Sequence, residues 1–178
     1  AATGVALAMW LAAPDETMTG WLGLATGAAH WVRRVRWRAA ATLREPLLWV
    51  LHVGYAWVGL GFILLGLTPL LPWLPPFTAL HALTVGAIGT MTLAVMTRAT
   101  LGHTGRPLEA GTGTTAIYVL VTIAALCRLV APFAGARYML VLALAGTAWS
   151  AAFGLFALLY LRPLAMPRVP RGVEVRPI

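Results

Sequence analysis

The chain has 178 residues, 60% of them hydrophobic and only 10% charged, with a formal net charge of +8 and a mean hydropathy of +0.83. A soluble domain carries about 25% charged and about 45–50% apolar residues. A single water-facing globule is therefore excluded, and lipid is the solvent this chain requires.

A helix needs about 20 residues to cross about 30 Å of hydrocarbon. Residues 1–13 are apolar but too short, and predict the end of a span whose beginning is absent. The chain opens Ala1-Ala2-Thr3 with neither an initiator methionine nor a basic leader, which suits a piece of a longer protein. Pro14-Asp15-Glu16 predicts a turn, and 17–32 a slightly short span ending in the basic connector Arg33-Arg34-Val35-Arg36-Trp37-Arg38. A clear span over 46–67 is followed by an uncharged stretch, 68–76, whose four prolines predict a stiff interfacial loop. The next span, 78–97, stops at Arg98 before a polar loop, 101–114. Spans over 115–130 and 138–161 follow, and residues 163–178 form a Pro/Arg-rich tail that reads as extended and solvated. The fold class is all-α, a multi-span transmembrane helical bundle of about five full or partial spans with a short C-terminal tail.

All thirteen basic residues are arginine. Eleven of them (Arg33, Arg34, Arg36, Arg38, Arg44, Arg98, Arg106, Arg162, Arg168, Arg171 and Arg176) fall on one side of this topology. Only Arg128 and Arg137, with Asp15 and Glu16, fall on the other. The positive-inside rule then puts the basic connector and the C-terminus in the cytoplasm of a multi-pass protein. Arginines at span ends also contact anionic lipid, so the net charge needs no nucleic-acid partner. Gly146, Ser150 and Gly154 recur at every fourth position, a spacing that lets helices approach closely, and Gly86, Thr90 and Thr97 form a second such face.

Ionisable groups inside a membrane are costly and so are functional candidates. Four histidines qualify: His30, His52, His81 and His103. At about 1.5 Å of rise per residue, His30 lies about 3 Å and His52 roughly 8–9 Å inside the cytoplasmic ends of their spans. These two are candidate ligands for a shared b-type haem, or for copper together with His103 in the cytoplasmic loop. His81 lies at the opposite, periplasmic end and cannot share a metal with them. On a wheel of 100° per residue, Thr84, Thr92 and Met96 fall within about 60° of His81. Met96 is a soft candidate ligand for Cu(I), though methionine is also an adaptable filler. Arg128, on the same side as His81, either snorkels to lipid headgroups or pairs with a haem propionate or another anion. The loop 102–108 is rich in turn formers and suits an anion, but it lacks the lysine and spacing of a phosphate-binding loop. The one cysteine, Cys127, excludes an internal disulfide framework, and no CxxCH sequence is present to attach haem covalently.

The run from His81 through Arg98, continued by Gly102-His103-Thr104-Gly105-Arg106-Pro107, resembles the signature of the NnrS family. The flanks are similar too: Glu45-Pro46-Leu47-Leu48-Trp49 with His52 and Tyr55-Ala56-Trp57, then Ala148-Trp149, Ala152-Phe153 and Tyr160. The resemblance covers roughly 38–168, and His52, His81 and His103 fall on the family's histidine positions. It implies a bacterial inner-membrane protein containing haem b and copper, linked to denitrification and to resistance against nitric oxide. It also implies that this chain is the C-terminal half and that its partner is the missing N-terminal half. On this view the cofactor-binding candidates are His52, His81, His30 and Arg128, and the metal candidates are His103, His81 and Met96. Nitric oxide is the small-molecule ligand expected.

Two other readings compete. One is half of a small-molecule transporter, which internal duplication and small-residue helices would suit. The other is a haem-bearing membrane subunit of a respiratory electron-transfer complex. Metal analysis and an optical spectrum separate the transporter from the other two, and reactivity with nitric oxide separates those from each other.

Overall fold

A computed structural model of the chain describes residues 2–37, 42, 44–170 and 177–178. Arg38, Arg171 and Arg176, counted above on the basic side, lie outside the described residues. Six helices account for most of the rest: α1 (Ala2–Ala12), α2 (Thr17–Val35), α3 (Pro46–Leu67), α4 (Pro76–His103), α5 (Thr112–Val130) and α6 (Tyr138–Ala165). There is no strand among the described residues. Four stretches are long and apolar enough to cross a membrane: α3, α4, Thr112–Phe133 and Gly135–Ala165. The fold is the expected all-α membrane bundle. α2 is not among the four: it carries Arg33 and Arg34 in its last turn, and the rest of it, with three threonines, three glycines and His30, is only weakly apolar.

α4 is longer than the apolar run that announces it. Pro75 and Pro76 start it, since a proline in the first turn gives up no helical hydrogen bond. It runs past Arg98, which is exposed and so costs the helix nothing. It ends at Gly105, whose φ of 72° suits glycine. There the Arg106 N–H donates to Leu101 O at 2.9 Å and the Gly105 N–H to Gly102 O at 3.4 Å, the paired bonds that close a helix at a left-handed residue. These N–H groups are thus committed to carbonyls of the helix and do not form an anion-binding concavity.

Ala82–Gly89, in the middle of α4, is wound as a π-helix. Gly86 and Gly89 leave notches there that large rings fill. A Cβ on Gly86 would lie 2.6 Å from the indole of Trp57 on α3, and one on Gly89 would lie 2.5 Å from that of Trp149 on α6. α4 is accordingly the centre of the bundle, with the α2–α3 hairpin on one side and the α5–α6 hairpin on the other. α1 lies against the first hairpin, with Ala6 packed among Phe62, Leu65 and Ala79.

The closest helix contact is between α2 and α3. A Cβ on Gly23 would stand 2.7 Å from the Cα of Gly66, and one on Gly66 would stand 2.5 Å from Leu24 N. Gly20 and Gly27 meet α3 backbone in the same way. The row Gly146, Ser150 and Gly154, expected to pack, faces outward instead: a Cβ on Gly146 or Gly154 meets nothing within 4 Å. α6 turns Ala145, Ala148, Ala152, Phe156 and Tyr160 inward. That face carries the Tyr160 hydroxyl, which pairs with Thr114 Oγ1 at 2.6 Å. On α4, Gly86, Thr90 and Thr97 are buried as expected, and Thr97 Oγ1 meets Tyr118 OH at 2.5 Å.

The tail does not simply trail into water. α6 runs through Pro163 to Ala165. Val169 N–H then donates to Thr104 O at 2.9 Å, and Ile178 O accepts from Gly111 N–H at 2.7 Å and from Thr114 Oγ1 at 2.6 Å. The free N–H groups at the start of α5 favour such an acceptor.

Gly23→Ala is expected to cost about 1–3 kcal/mol, because the atoms it would displace, Cα and N of Gly66 and the carbonyl oxygen of Phe62, are all backbone. Gly146→Ala, in open space, is expected to cost almost nothing. Reversible unfolding in mixed detergent micelles compares the two, and equal losses would contradict the packing described.

Candidate functional site

The antiparallel α2–α3 hairpin sets His30 beside the middle of α3. Its Nδ1 lies 2.8 Å from Tyr55 OH and its Nε2 lies 3.1 Å from Thr3 Oγ1 of α1. A neutral imidazole has one donor and one acceptor, so both its ring positions are in use. The ring also stacks on Phe62, with centroids 5.6 Å apart.

His52, one turn nearer the basic end of α3 than Tyr55, differs in kind. Its Nδ1 is enclosed and has no hydrogen-bond partner among the described residues. Its backbone carbonyl accepts from Arg34 Nε at 3.3 Å. Trp37 ties the two histidine environments together, its ring centroid 4.6 Å from that of Tyr55 and 6.2 Å from that of His52. Arg33 lies 5.7 Å over the Trp37 ring, and Arg34 lies 5.0 Å over that of Trp31. His30 and His52 therefore belong to one aromatic assembly at the basic end, joined through Tyr55 and Trp37.

His103, exposed in the last turn of α4, is not part of that assembly. It lines a groove of about 310 Å³ with Met96, Thr100, Phe156 and Leu164, between α4 and α6. Met96 and His103 are two turns apart on one helix face, a thioether and an imidazole along one wall. Sequence reasoning set Met96 on the face of His81. The π segment changes the rotation per residue between them, so Thr84, Ile88 and Thr92 form an exposed outer row while His81 turns toward α5.

His81 sits at the other end of the bundle in a pocket of about 260 Å³, with Phe77, Arg128, Ala131, Pro132 and Tyr138. Arg128 also lines an adjoining apolar groove of about 340 Å³ between α4, α5 and α6. It is half-buried and makes no ion pair among the described residues. Among those residues no three His, Cys, Asp or Glu side chains converge. The donors are thus distributed as His52 and His30 at one place, His103 with Met96 at a second, and His81 with Arg128 at a third.

Two features were not read from sequence. The Tyr55–His30–Thr3 chain needs the partner of each hydroxyl, which spacing does not supply. The π segment leaves Trp57 Nε1 and Thr90 Oγ1 buried without partners among the described residues. The Gly86-x-x-Gly89 pair inside a span was its one visible signal.

A family model described as NnrS protein matches residues 1–168. Neither the comparison with curated proteins nor that with solved structures gives a match.

Tyr55→Phe removes the hydroxyl that meets His30 Nδ1 and is expected to lower stability by about 0.5–1.5 kcal/mol. Thermal unfolding in detergent measures this, and a variant as stable as the parent would mean that the His30 ring is not held by this bond.

Proposed function

The chain belongs to the NnrS family, membrane proteins of the nitric oxide response, and from that premise we propose that it binds haem b and copper in the inner membrane of a denitrifying bacterium. The observation that carries the reading is the family match over residues 1–168. His52 is the haem ligand favoured here, because no hydrogen bond among the described residues occupies its ring, whose Nδ1 is closed off so that Nε2 would be the ligating atom, and the Trp37 ring stands beside it. His30 is the weaker ligand, since binding iron would break a hydrogen bond to Tyr55 or to Thr3. His103 and Met96 are the copper donors favoured here, a borderline and a soft ligand on one groove wall, the combination that suits Cu(I).

These are single donors or pairs, and one imidazole suffices to hold a haem that keeps a position open for nitric oxide. Reduced haem, when bound, takes nitric oxide as a ligand and confers the sensitivity that such a response requires. The basic connector and the C-terminus face the cytoplasm, by the distribution of arginines.

The test is made on purified full-length protein. A Soret band that shifts on addition of nitric oxide is expected. His52→Ala is expected to lower haem affinity by more than the roughly 10–100-fold that loss of a partner behind a metal ligand costs. Met96→Leu combined with His103→Ala is expected to lower bound copper while leaving haem in place. A colourless protein that takes up no added haem would overturn the reading, and haem lost only in His81→Ala would move the iron to the opposite end.

A further inference from the structure

We propose that the groove between α4, α5 and α6, together with the pocket at its mouth, holds one anionic phospholipid. The argument begins with Arg128. It lies within the last turn of α5, half-buried, with no carboxylate paired to it among the described residues. A guanidinium at that depth is costly unless an anion or water meets it. The same side chain lines two adjoining cavities of opposite character. The outer pocket offers His81 and Tyr138 beside it, a ring N–H and a hydroxyl able to donate to phosphate oxygens. The inner groove is walled by Val85, Leu142, Gly146 and Trp149, and is predominantly apolar.

The order of these parts along the membrane normal matches an amphiphile. Tyr138 opens α6 and Ser150 lies three turns deeper, so the two cavities together descend about 18 Å at the rise of a helix. The cation is at the shallow end, and the apolar wall extends below it. Gly146 keeps the floor of the groove open, since a Cβ there would meet no protein atom within 4 Å. This accounts for the small-residue row on α6, which faces no helix of this chain. One guanidinium with no acidic neighbour favours an anionic headgroup over a zwitterionic one, whose choline would lie close to Arg128 and be repelled by it.

The experiment uses the full-length protein reconstituted in nanodiscs of equal parts phosphatidylglycerol and phosphatidylcholine, then released and weighed by native mass spectrometry. Phosphatidylglycerol is expected to be retained preferentially. Arg128→Gln should reduce that preference about fivefold, the effect of one arginine at an anionic headgroup. Gly146→Leu, which keeps the charge but fills the groove, should reduce retention of lipid by a similar factor. Should Arg128→Gln fail to fold, Gly146→Leu carries the test alone. Retention unchanged in Gly146→Leu, or a preference unchanged in a folded Arg128→Gln, overturns the proposal. Haem lost from Arg128→Gln with lipid retention intact also overturns it, because the anion at Arg128 would then be a propionate.

Discussion

In lipid the hydrophobic effect gives helices little reason to associate, so this bundle depends on shape. Trp57 of α3 fills the notch at Gly86 and Trp149 of α6 fills the notch at Gly89. Both notches lie in the π-wound segment of α4. A π-helix opens the backbone and loses the regular i→i−4 bonds. It persists here because both hairpins bring an indole to it, and because glycine lets each ring reach the backbone. Any side chain at either position would displace a ring that also helps to form the core. Trp57 is buried with Ala82, Ala87 and Ala125, which ties α3 to α5 through α4.

The same constraint distributes the polar groups. Several threonines inside the helices return their hydroxyls to carbonyls one turn back, as Thr100 does to Met96 O at 2.7 Å and Thr104 to Thr100 O at 2.6 Å. Tyrosines find hydroxyl partners across helices. Against that economy, seven side-chain atoms are enclosed without partners among the described residues: Thr19 Oγ1, Thr26 Oγ1, His52 Nδ1, Trp57 Nε1, Thr78 Oγ1, Thr90 Oγ1 and Arg106 Nη1. Trp57 packs on Gly86 of the π segment and Thr90 follows that segment, whereas Thr19 and Thr26 lie on the regularly wound α2.

Much of the architecture was legible because lipid makes strict demands of a sequence. Apolar runs bounded by arginine or proline yield spans within a few residues, as at Pro46–Leu67. Rotation about a helix was legible only where winding is regular. Of the face assigned to His81, Thr84, Thr92 and Met96, the last three stay on one exposed row while His81 turns into the pocket with Arg128, and only the Gly86-x-x-Gly89 pair marks the π winding that lies between them. Small-residue spacing proved ambiguous in the same way. Gly146, Ser150 and Gly154 have the spacing of a packing row, yet Gly20, Gly23 and Gly27, interleaved with a tryptophan and leucines, make the close contact. Spacing identifies a narrow face, but only the neighbouring helix decides whether protein or lipid lies against it.

The histidines illustrate how far position alone can carry chemistry. Depth along the span separated His81 from the other three, since a bundle cannot bring its two ends together. It could not separate His30 from His52, which share an end and an aromatic surround. The difference between them is one of hydrogen bonding: Tyr55 and Thr3 occupy both nitrogens of His30, while His52 has one nitrogen enclosed and unused. A metal ligand needs a free lone pair more than it needs a particular depth. His30, with both nitrogens engaged, is held beside Tyr55 and through it Trp37, whereas no hydrogen bond among the described residues occupies the ring of His52.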